Sequence, residues 1–213
     1  MITDDTTPTL SPGLTYLEAS SPRTPALHQL TLAALDDLEG RAYWIDSRST
    51  ASTYAWLEGA VHPRRLEALR VARAFTAYQH HTLVQTVHER ATDDDLVIVP
   101  CLDALYTDDE VPEPQARSLL ADTLAVLEAL AESGTTVTIT TADPAVADRA
   151  DHTIVIRETD LGIAFEGDTF ETTLYRGPGF WQTTIPYWID LLGICEEEAL
   201  VPIATEPVQV ALG

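Results

Sequence analysis

One short apolar run limits the folds open to this chain more than any other feature. Residues 96–99 read Leu-Val-Ile-Val and lie between three aspartates at 93–95 and Pro100. A continuous β-branched run bounded by turn-forming residues is typical of a strand buried on both faces. Such strands occur in parallel sheets that helices cover on both sides. The sequence therefore predicts an α/β fold with a mostly parallel central sheet flanked by helices.

The other predicted elements alternate between strand and helix. Strands are predicted at 14–17, 42–45, 135–141 and 153–157, and helices at 24–39, 78–90 and 114–133. Thr24 and Pro25 have the residue types of an N-cap and a first helical position, and Gly40 and Gly134 are the predicted helix ends. Residues 70–75 alternate polar and apolar, and they fit either a strand or part of a continuous helix over 63–90.

The pattern changes after residue 160. Short alternating runs at 163–165 and 170–175 lie on either side of Gly167 and predict an antiparallel C-terminal hairpin. We expect residues 1–13 to be a flexible tail and residues 14–160 to be the α/β core. Residues 161–213 are predicted to be a C-terminal hairpin and an aromatic-rich extension of the same domain.

Charge limits the partners of the chain. Its 213 residues include 34 acidic and 12 basic residues, for a net charge of −22, and it has no lysine. Molar salt shortens the Debye length to about 3 Å and so relieves this self-repulsion. An acidic excess without lysine indicates the high-salt cytosol of a haloarchaeon; an ordinary acidic mesophile protein is the alternative. So negative a surface repels phosphate backbones.

Membrane, metal and disulfide functions have no support in the sequence. No run reaches the roughly 18 apolar residues that cross a bilayer, and the polar N-terminus does not resemble a signal peptide. We therefore predict a cytoplasmic protein with no membrane association. Cys101 and Cys195 form no CxxC motif, and the six histidines form no metal-binding pattern, so we expect no metal.

Four segments carry a family resemblance. Residues 28–30 read His-Gln-Leu, 43–47 Tyr-Trp-Ile-Asp-Ser, 71–75 Val-Ala-Arg-Ala-Phe and 96–105 Leu-Val-Ile-Val-Pro-Cys-Leu-Asp-Ala-Leu. In this order they resemble the HQL, YIDT, VARAF and LVIVDSLTAL segments of the RecA/RadA/Rad51 recombinase ATPase core, over about two-thirds of the chain, from 14 to 157. The resemblance implies a RecA-like P-loop-NTPase-type fold, and it favours a strand at 71–75.

The resemblance also implies that the ATPase chemistry is lost. The three glycines of the family's phosphate loop correspond to Leu17, Ser20 and Pro22, and its lysine to Arg23, so only Thr24 is retained. A phosphate loop needs glycines, whose N–H groups can turn toward the phosphates, and a lysine. The metal-binding acid of the family corresponds to Pro100, and its catalytic acid to Arg48. We therefore predict a pseudo-ATPase with no catalytic residue and no ATP cofactor.

The DNA-binding segments of the family have changed as well. Residues 106–114, which match its first DNA loop, are acidic, and Thr140-Thr141-Ala142 lacks the glutamine of its TNQ segment. We do not expect direct DNA binding by the family's route.

Two other segments are candidates for contact with a partner. The predicted partner surface is the aromatic set Phe180, Trp181, Tyr187 and Trp188, for which a place in the core is the alternative. Arginines at 64, 65, 70 and 73 form the one basic cluster, either a solvated face or a site for an acidic partner or nucleic acid.

Three functions remain open at this point. The first is a non-catalytic RecA-like paralogue that acts as an interaction or regulatory subunit, with a role in DNA recombination or repair and a protein partner. The second is a nucleotide sensor in which Arg23 and Thr24 hold a nucleotide without turnover. The third is an unrelated enzyme that uses polar residues at the strand ends, namely Asp46, Arg48, Asp103 and Thr141.

Overall fold

A nine-stranded sheet organises the molecule. The computed structural model describes residues 7–60, 63–108, 111–159, 162–167, 170–177 and 180–183. The strands are β1 (Gly13–Glu18), β2 (Ala42–Asp46), β3 (Leu69–Arg73), β4 (Leu96–Val99), β5 (Thr136–Ile139), β6 (His152–Thr159), β7 (Gly162–Gly167), β8 (Phe170–Gly177) and β9 (Phe180–Thr183). Their order in the sheet is β3-β2-β4-β5-β1-β6-β7-β8-β9.

Helices cover both faces of this sheet. They are α1 (Ala26–Asp37), α2 (Thr53–Gly59), α3 (Ala77–His88), α4 (Glu113–Glu132) and α5 (Pro144–Ala147), and a 3₁₀ helix spans Pro63–Ala68. The first six strands pair in parallel, and β7, β8 and β9 continue the sheet in antiparallel pairing. The predicted α/β class, the mostly parallel sheet and the C-terminal hairpin are confirmed.

Strand β4 shows why the apolar run at 96–99 is diagnostic. Leu96 and Ile98 lie in the core layer on the α1 side of the sheet, while Val97 and Val99 lie in the layer on the α3 and α4 side. All four side chains are 0 or 1% exposed. Successive residues of a strand point to opposite faces, so a strand covered on both sides favours apolar side chains at every position.

The ambiguous segment at 70–75 is a strand followed by a helix N-terminus. Strand β3 ends at Arg73, and Thr76 caps α3 by accepting a hydrogen bond of 3.2 Å from the Gln79 N–H. The Gln79 side chain in turn accepts a 2.9 Å bond from the Phe75 N–H. This exchange resembles a capping box, and it separates the strand from the helix.

The predicted cap of the first helix agrees with the structure, whereas its predicted end needs correction. Helix α1 begins at Ala26, whose N–H donates a hydrogen bond of 3.2 Å to the Thr24 hydroxyl. The helix ends at Asp37 and not at Gly40. Gly40 is required for another reason, because a Cβ there would overlap the main chain of Asp94. The sequence analysis also missed the short helices α2 and α5.

Candidate functional site

The carboxyl ends of β1, β4 and β5 form the crevice where the family resemblance places the phosphate loop. Strand β1 leads into α1 on one face of the sheet, whereas β4 is followed by α4 and β5 by α5 on the other face. Ligands of open α/β sheets bind where neighbouring strands send their connections to opposite faces. The position of this crevice is therefore the one that a ligand-binding RecA-like chain would use.

The loop after β1 lies across this crevice and turns a carbonyl toward it. The Pro22 carbonyl accepts a hydrogen bond of 2.6 Å from the Thr140 hydroxyl and a longer one, of 3.5 Å, from the Cys101 thiol. Phosphate oxygens need N–H donors, and a carbonyl oxygen repels them. The loop that would cradle a phosphate is instead bonded to the ends of β4 and β5.

The N-terminus of α1 has its first donors already engaged. The Ala26 N–H bonds to the Thr24 hydroxyl, the Leu27 N–H to the Thr24 carbonyl and the His28 N–H to the Pro25 carbonyl. The Thr24 hydroxyl donates its own proton to Glu158 Oε1 at 2.5 Å. A carboxylate and local main-chain acceptors therefore stand where a nucleotide phosphate and its metal would have to bind.

The positions that the resemblance aligns with the phosphate loop differ in their surroundings. Leu17 lies in β1 and is 1% exposed in the core, whereas Ser20 and Arg23 are exposed. Burial raises the pKa of the Cys101 thiol, and the nearby Arg23 guanidinium partly opposes that shift. The structure thus brings Pro22, Arg23 and Thr24 to the crevice but directs Leu17 into the hydrophobic core.

The end of the central strand carries no free acid. Pro100 is followed by Cys101, whose φ of 51° bends the chain sharply, and the Cys101 N–H donates to the Thr140 hydroxyl at 2.9 Å. The Ser47 hydroxyl lies within hydrogen-bonding distance of the carbonyls of Pro100 and Cys101, at 2.7 and 2.9 Å. Side-chain hydroxyls therefore satisfy the main chain at the position that the resemblance aligns with a metal-binding carboxylate.

Arg48, which the resemblance aligns with a catalytic acid, joins two loops. It has a positive φ of 65°, and its guanidinium donates to the Ala104 carbonyl at 2.8 Å and to the Asp108 carboxylate. The loop after β2 is thereby tied to the loop after β4. A cation held in this ion pair cannot accept a proton from water, as the acid of an ATPase helps to do.

The polar residues proposed for an unrelated enzyme are engaged in structural bonds. Asp46 is 0% exposed; one carboxylate oxygen accepts bonds of 2.7 Å from the Thr50 N–H and hydroxyl, and the other accepts one of 2.7 Å from Arg73. Asp103 accepts bonds of 2.9 Å from the Thr141 hydroxyl and 3.1 Å from the Ala142 N–H. The structure thus brings Asp103 and Thr141 together, whereas Asp46 pairs with Arg73 and Arg48 with Asp108.

A buried histidine network was not found by sequence reasoning. The His80 Nδ1 lies 2.8 Å from the Tyr106 hydroxyl, which lies 2.8 Å from the Thr123 hydroxyl; that group is 2.9 Å from His81 Nδ1. Burial lowers the pKa of His80 to about 4 and raises that of Tyr106. His80 and Tyr106 are therefore neutral at physiological pH, and the network joins α3 to α4.

The edge of the sheet at β3 is a second candidate site that the sequence analysis did not single out as such. Within the described part of the chain, Val71, Phe75 and Tyr78 are three of the five large apolar side chains that are exposed, at 46, 69 and 47%. A groove of about 420 Å³ lies beside them, lined by Arg73, Phe75, Tyr78, Gln79, Thr82 and Leu83. Thr76 and Gln79, three residues apart, have the spacing of a helix cap and could have indicated this site in the sequence. A helix that begins after Thr76 leaves Phe75 outside it.

Two residues of the predicted aromatic partner surface belong to the strand at the opposite edge of the sheet. Phe180 and Trp181 belong to β9, the edge strand that pairs with β8. Tyr187 and Trp188 fall outside the described residues, so their part of this prediction stays a prediction. The described residues contain no group of three or more His, Cys, Asp or Glu side chains that could hold a metal ion. No helix among them is both long enough and apolar enough to cross a bilayer.

Comparison with known proteins assigns no family. The chain matches no protein-family model, and a search of the curated proteins also gives no match. The function of the chain is therefore inferred from the two sites just described.

Proposed function

We propose that this chain is a non-catalytic, RecA-like protein that works by binding another protein in DNA recombination or repair. The observation that carries the proposal is the Pro22 carbonyl, which is bonded to Thr140 and Cys101 where a phosphate loop would present N–H groups. The resemblance favoured a strand over a helix in this part of the chain, and strand β3 therefore supports the RecA-like interpretation.

The arrangement around the crevice favours this role over a nucleotide sensor. A nucleotide would have to displace the Pro22 carbonyl from two donors and separate Thr24 from Glu158. It would then meet a carboxylate rather than a lysine. Each buried polar group left without its partner costs roughly 1–3 kcal/mol, which a bound nucleotide would have to offset.

The β3 edge offers a protein partner a suitable surface. Strand β3 pairs with β2 on one side, and its other side is the edge of the sheet. An extended segment of another protein can add to such an edge through main-chain hydrogen bonds, while its side chains enter neighbouring pockets. The groove beside Phe75 and Tyr78 is such a pocket, and large apolar side chains exposed together mark interaction sites.

Two measurements test the proposed function. Calorimetry with ATP and Mg²⁺ in high-salt buffer should show no binding, and phosphate release should not exceed the buffer rate with or without single-stranded DNA. Saturable nucleotide binding that an Arg23→Ala variant loses would establish the sensor instead.

The interaction role is tested by affinity capture from a high-salt lysate of the source organism. A Phe75→Ala, Tyr78→Ala double variant should lose proteins that the unchanged chain retains. Leu57→Ala, at an exposed apolar position on α2 that does not line the groove, is the matched control and should retain them. Equal retention by both variants would remove the β3 edge from the interaction role.

A further inference from the structure

The β3 edge is basic as well as apolar, although the chain as a whole carries a net charge of −22. Arg64 and Arg65 lie on the 3₁₀ helix that leads into β3, and Arg70 lies in β3 itself. All three are exposed, and none of them makes an ion pair with a carboxylate of the described residues. Three unneutralised arginines side by side are unexpected where acidic side chains are nearly three times as common as basic ones.

The local geometry keeps these charges available. The Arg70 guanidinium donates to the Glu67 and Leu69 carbonyls, at 2.5 and 3.2 Å, so it lies against the main chain and not against an acid. Arg73 lies three residues after Arg70, at the end of β3, where it lines the groove and is already bonded to Asp46. The free positive charge is therefore concentrated at the start of β3, and the apolar groove lies toward its end.

We propose that the segment bound at the β3 edge is acidic, with carboxylates that pair with Arg64, Arg65 and Arg70 and apolar side chains that enter the groove beside Phe75 and Tyr78. This inference rests on the proposed interaction role and specifies its partner. Arginine pairs with carboxylates through short, charge-assisted hydrogen bonds, often two at a time. In molar salt, where the Debye length is about 3 Å, such direct contacts still act while longer-range attraction is screened.

A protein segment fits the surface better than a nucleic acid. The basic cluster consists of three arginines at one end of β3, whereas nucleic-acid sites follow the phosphate backbone with a longer positively charged groove. Charged side chains also protect sheet edges from pairing, but such protection does not explain exposed Val71, Phe75 and Tyr78 at the same edge.

The test uses two pools of peptides of about ten residues, enough to span an edge strand. In one pool, Asp or Glu alternates with Phe, Tyr, Leu, Ile or Val; in the other, Asn or Gln replaces each acid. The full-length protein, immobilised in high-salt buffer, should retain the acidic pool at least about ten-fold better than the amide pool, a difference of about 1.4 kcal/mol. A variant carrying Arg64→Gln, Arg65→Gln and Arg70→Gln should lose that preference.

The control variant carries Arg90→Gln, Arg117→Gln and Arg149→Gln, which change the net charge equally at exposed positions outside β3 and its neighbouring strand β2, and it should keep the preference. Equal retention of both pools that still depends on Phe75 and Tyr78 would overturn the acidic specificity and leave the interaction role intact. Retention of neither pool, or displacement of the acidic pool by a single-stranded oligonucleotide at equal concentration, would overturn the inference itself. Loss of preference in the control variant would show that net charge alone decides binding, and would also overturn it.

Discussion

The Thr140 hydroxyl donates a hydrogen bond of 2.6 Å to the Pro22 carbonyl, and it accepts one of 2.9 Å from the Cys101 N–H. Thr140 is 0% exposed. A single side chain therefore joins the segments that follow β1, β4 and β5, the three neighbouring strands around the crevice. This junction consists of contacts inside the protein, at the position where the resemblance predicts a phosphate loop.

Replacing Thr140 with valine should destabilise the protein. Thr140→Val keeps the shape of the side chain but leaves the buried Cys101 N–H without its partner and removes a donor from Pro22. We expect a loss of about 1–3 kcal/mol in the free energy of unfolding, measured by chemical denaturation in high-salt buffer.

Thr138→Val is the matched control, two residues earlier in the same strand. The Thr138 hydroxyl is buried and has no hydrogen-bond partner, so its removal should leave stability unchanged or raise it by up to about 1 kcal/mol. If both variants lost equal stability, the volume or rotamer of the side chain would be responsible, and the Thr140 bonds would not hold the crevice closed.

The ion pair between Asp46 and Arg73 should respond unequally to removal of its two partners. Asp46 is fully buried and also binds the loop at Thr50, whereas the Arg73 side chain is 42% exposed. Asp46→Ala should therefore cost about 3 kcal/mol or more, because four donors lose their acceptor. Arg73→Ala should cost less, about 1 kcal/mol, because water solvates the exposed guanidinium and Asp46 keeps its loop donors. Equal losses, measured by denaturation, would mean that the loop bonds contribute nothing.

Stability should depend on pH through His80. Burial lowers the pKa of His80 from 6.5 to about 4, so the unfolded chain binds the proton more readily than the folded one. The contribution of neutral His80 to stability is complete above pH 6.5. It falls as the pH drops from 6.5 to about 4, and it is lost below about pH 4. It amounts to about 3 kcal/mol, at 1.36 kcal/mol for each pKa unit.

The measurement compares unfolding free energies of two variants with those of the unchanged chain between pH 4 and pH 7. His80→Gln should flatten the profile by about one proton, since the titrating group is gone. His88→Gln, at an exposed position of the same helix, should leave the profile as it is. A profile that stays equally steep in His80→Gln would show that other groups carry the acid sensitivity.

Most of the fold could be predicted because both-face burial leaves a clear pattern in the sequence. The run at 96–99 is buried on both faces of the sheet, so it is continuously apolar. Helix α4 is buried on one side, so its leucines recur at helical spacing. Gly40 shows where that reasoning fails: its residue type fits a helix end, but close approach to Asp94 is what requires glycine there. Helices α2 and α5 span seven and four residues, too few for a helical period to become visible.

The candidate site was only partly predictable, because its main features depend on contacts distant in sequence. The bond between Thr140 and Pro22 spans 118 positions, and the one between Thr24 and Glu158 spans 134. Residue types at the phosphate-loop positions indicated what the loop lacks but not what occupies its place. The β3 groove similarly depends on the packing of α3 against the sheet, which exposes Phe75 and Tyr78 while burying Ala74 and Ala77.

The net charge of −22 should make folding depend on salt. Like charges repel one another more in the compact state than in the expanded chain, and counterions screen that repulsion. We expect the melting temperature to rise steeply from about 0.1 M to about 2 M KCl, as the Debye length falls from about 10 Å to less than 3 Å.

A variant with three exposed acids neutralised, Glu89→Gln, Asp122→Asn and Glu132→Gln, should melt higher at low salt and show a shallower rise. Sucrose, which favours the compact state without screening charge, should raise both melting temperatures equally. If both chains responded to KCl with the same slope, preferential exclusion of salt and not charge screening would account for the stabilisation.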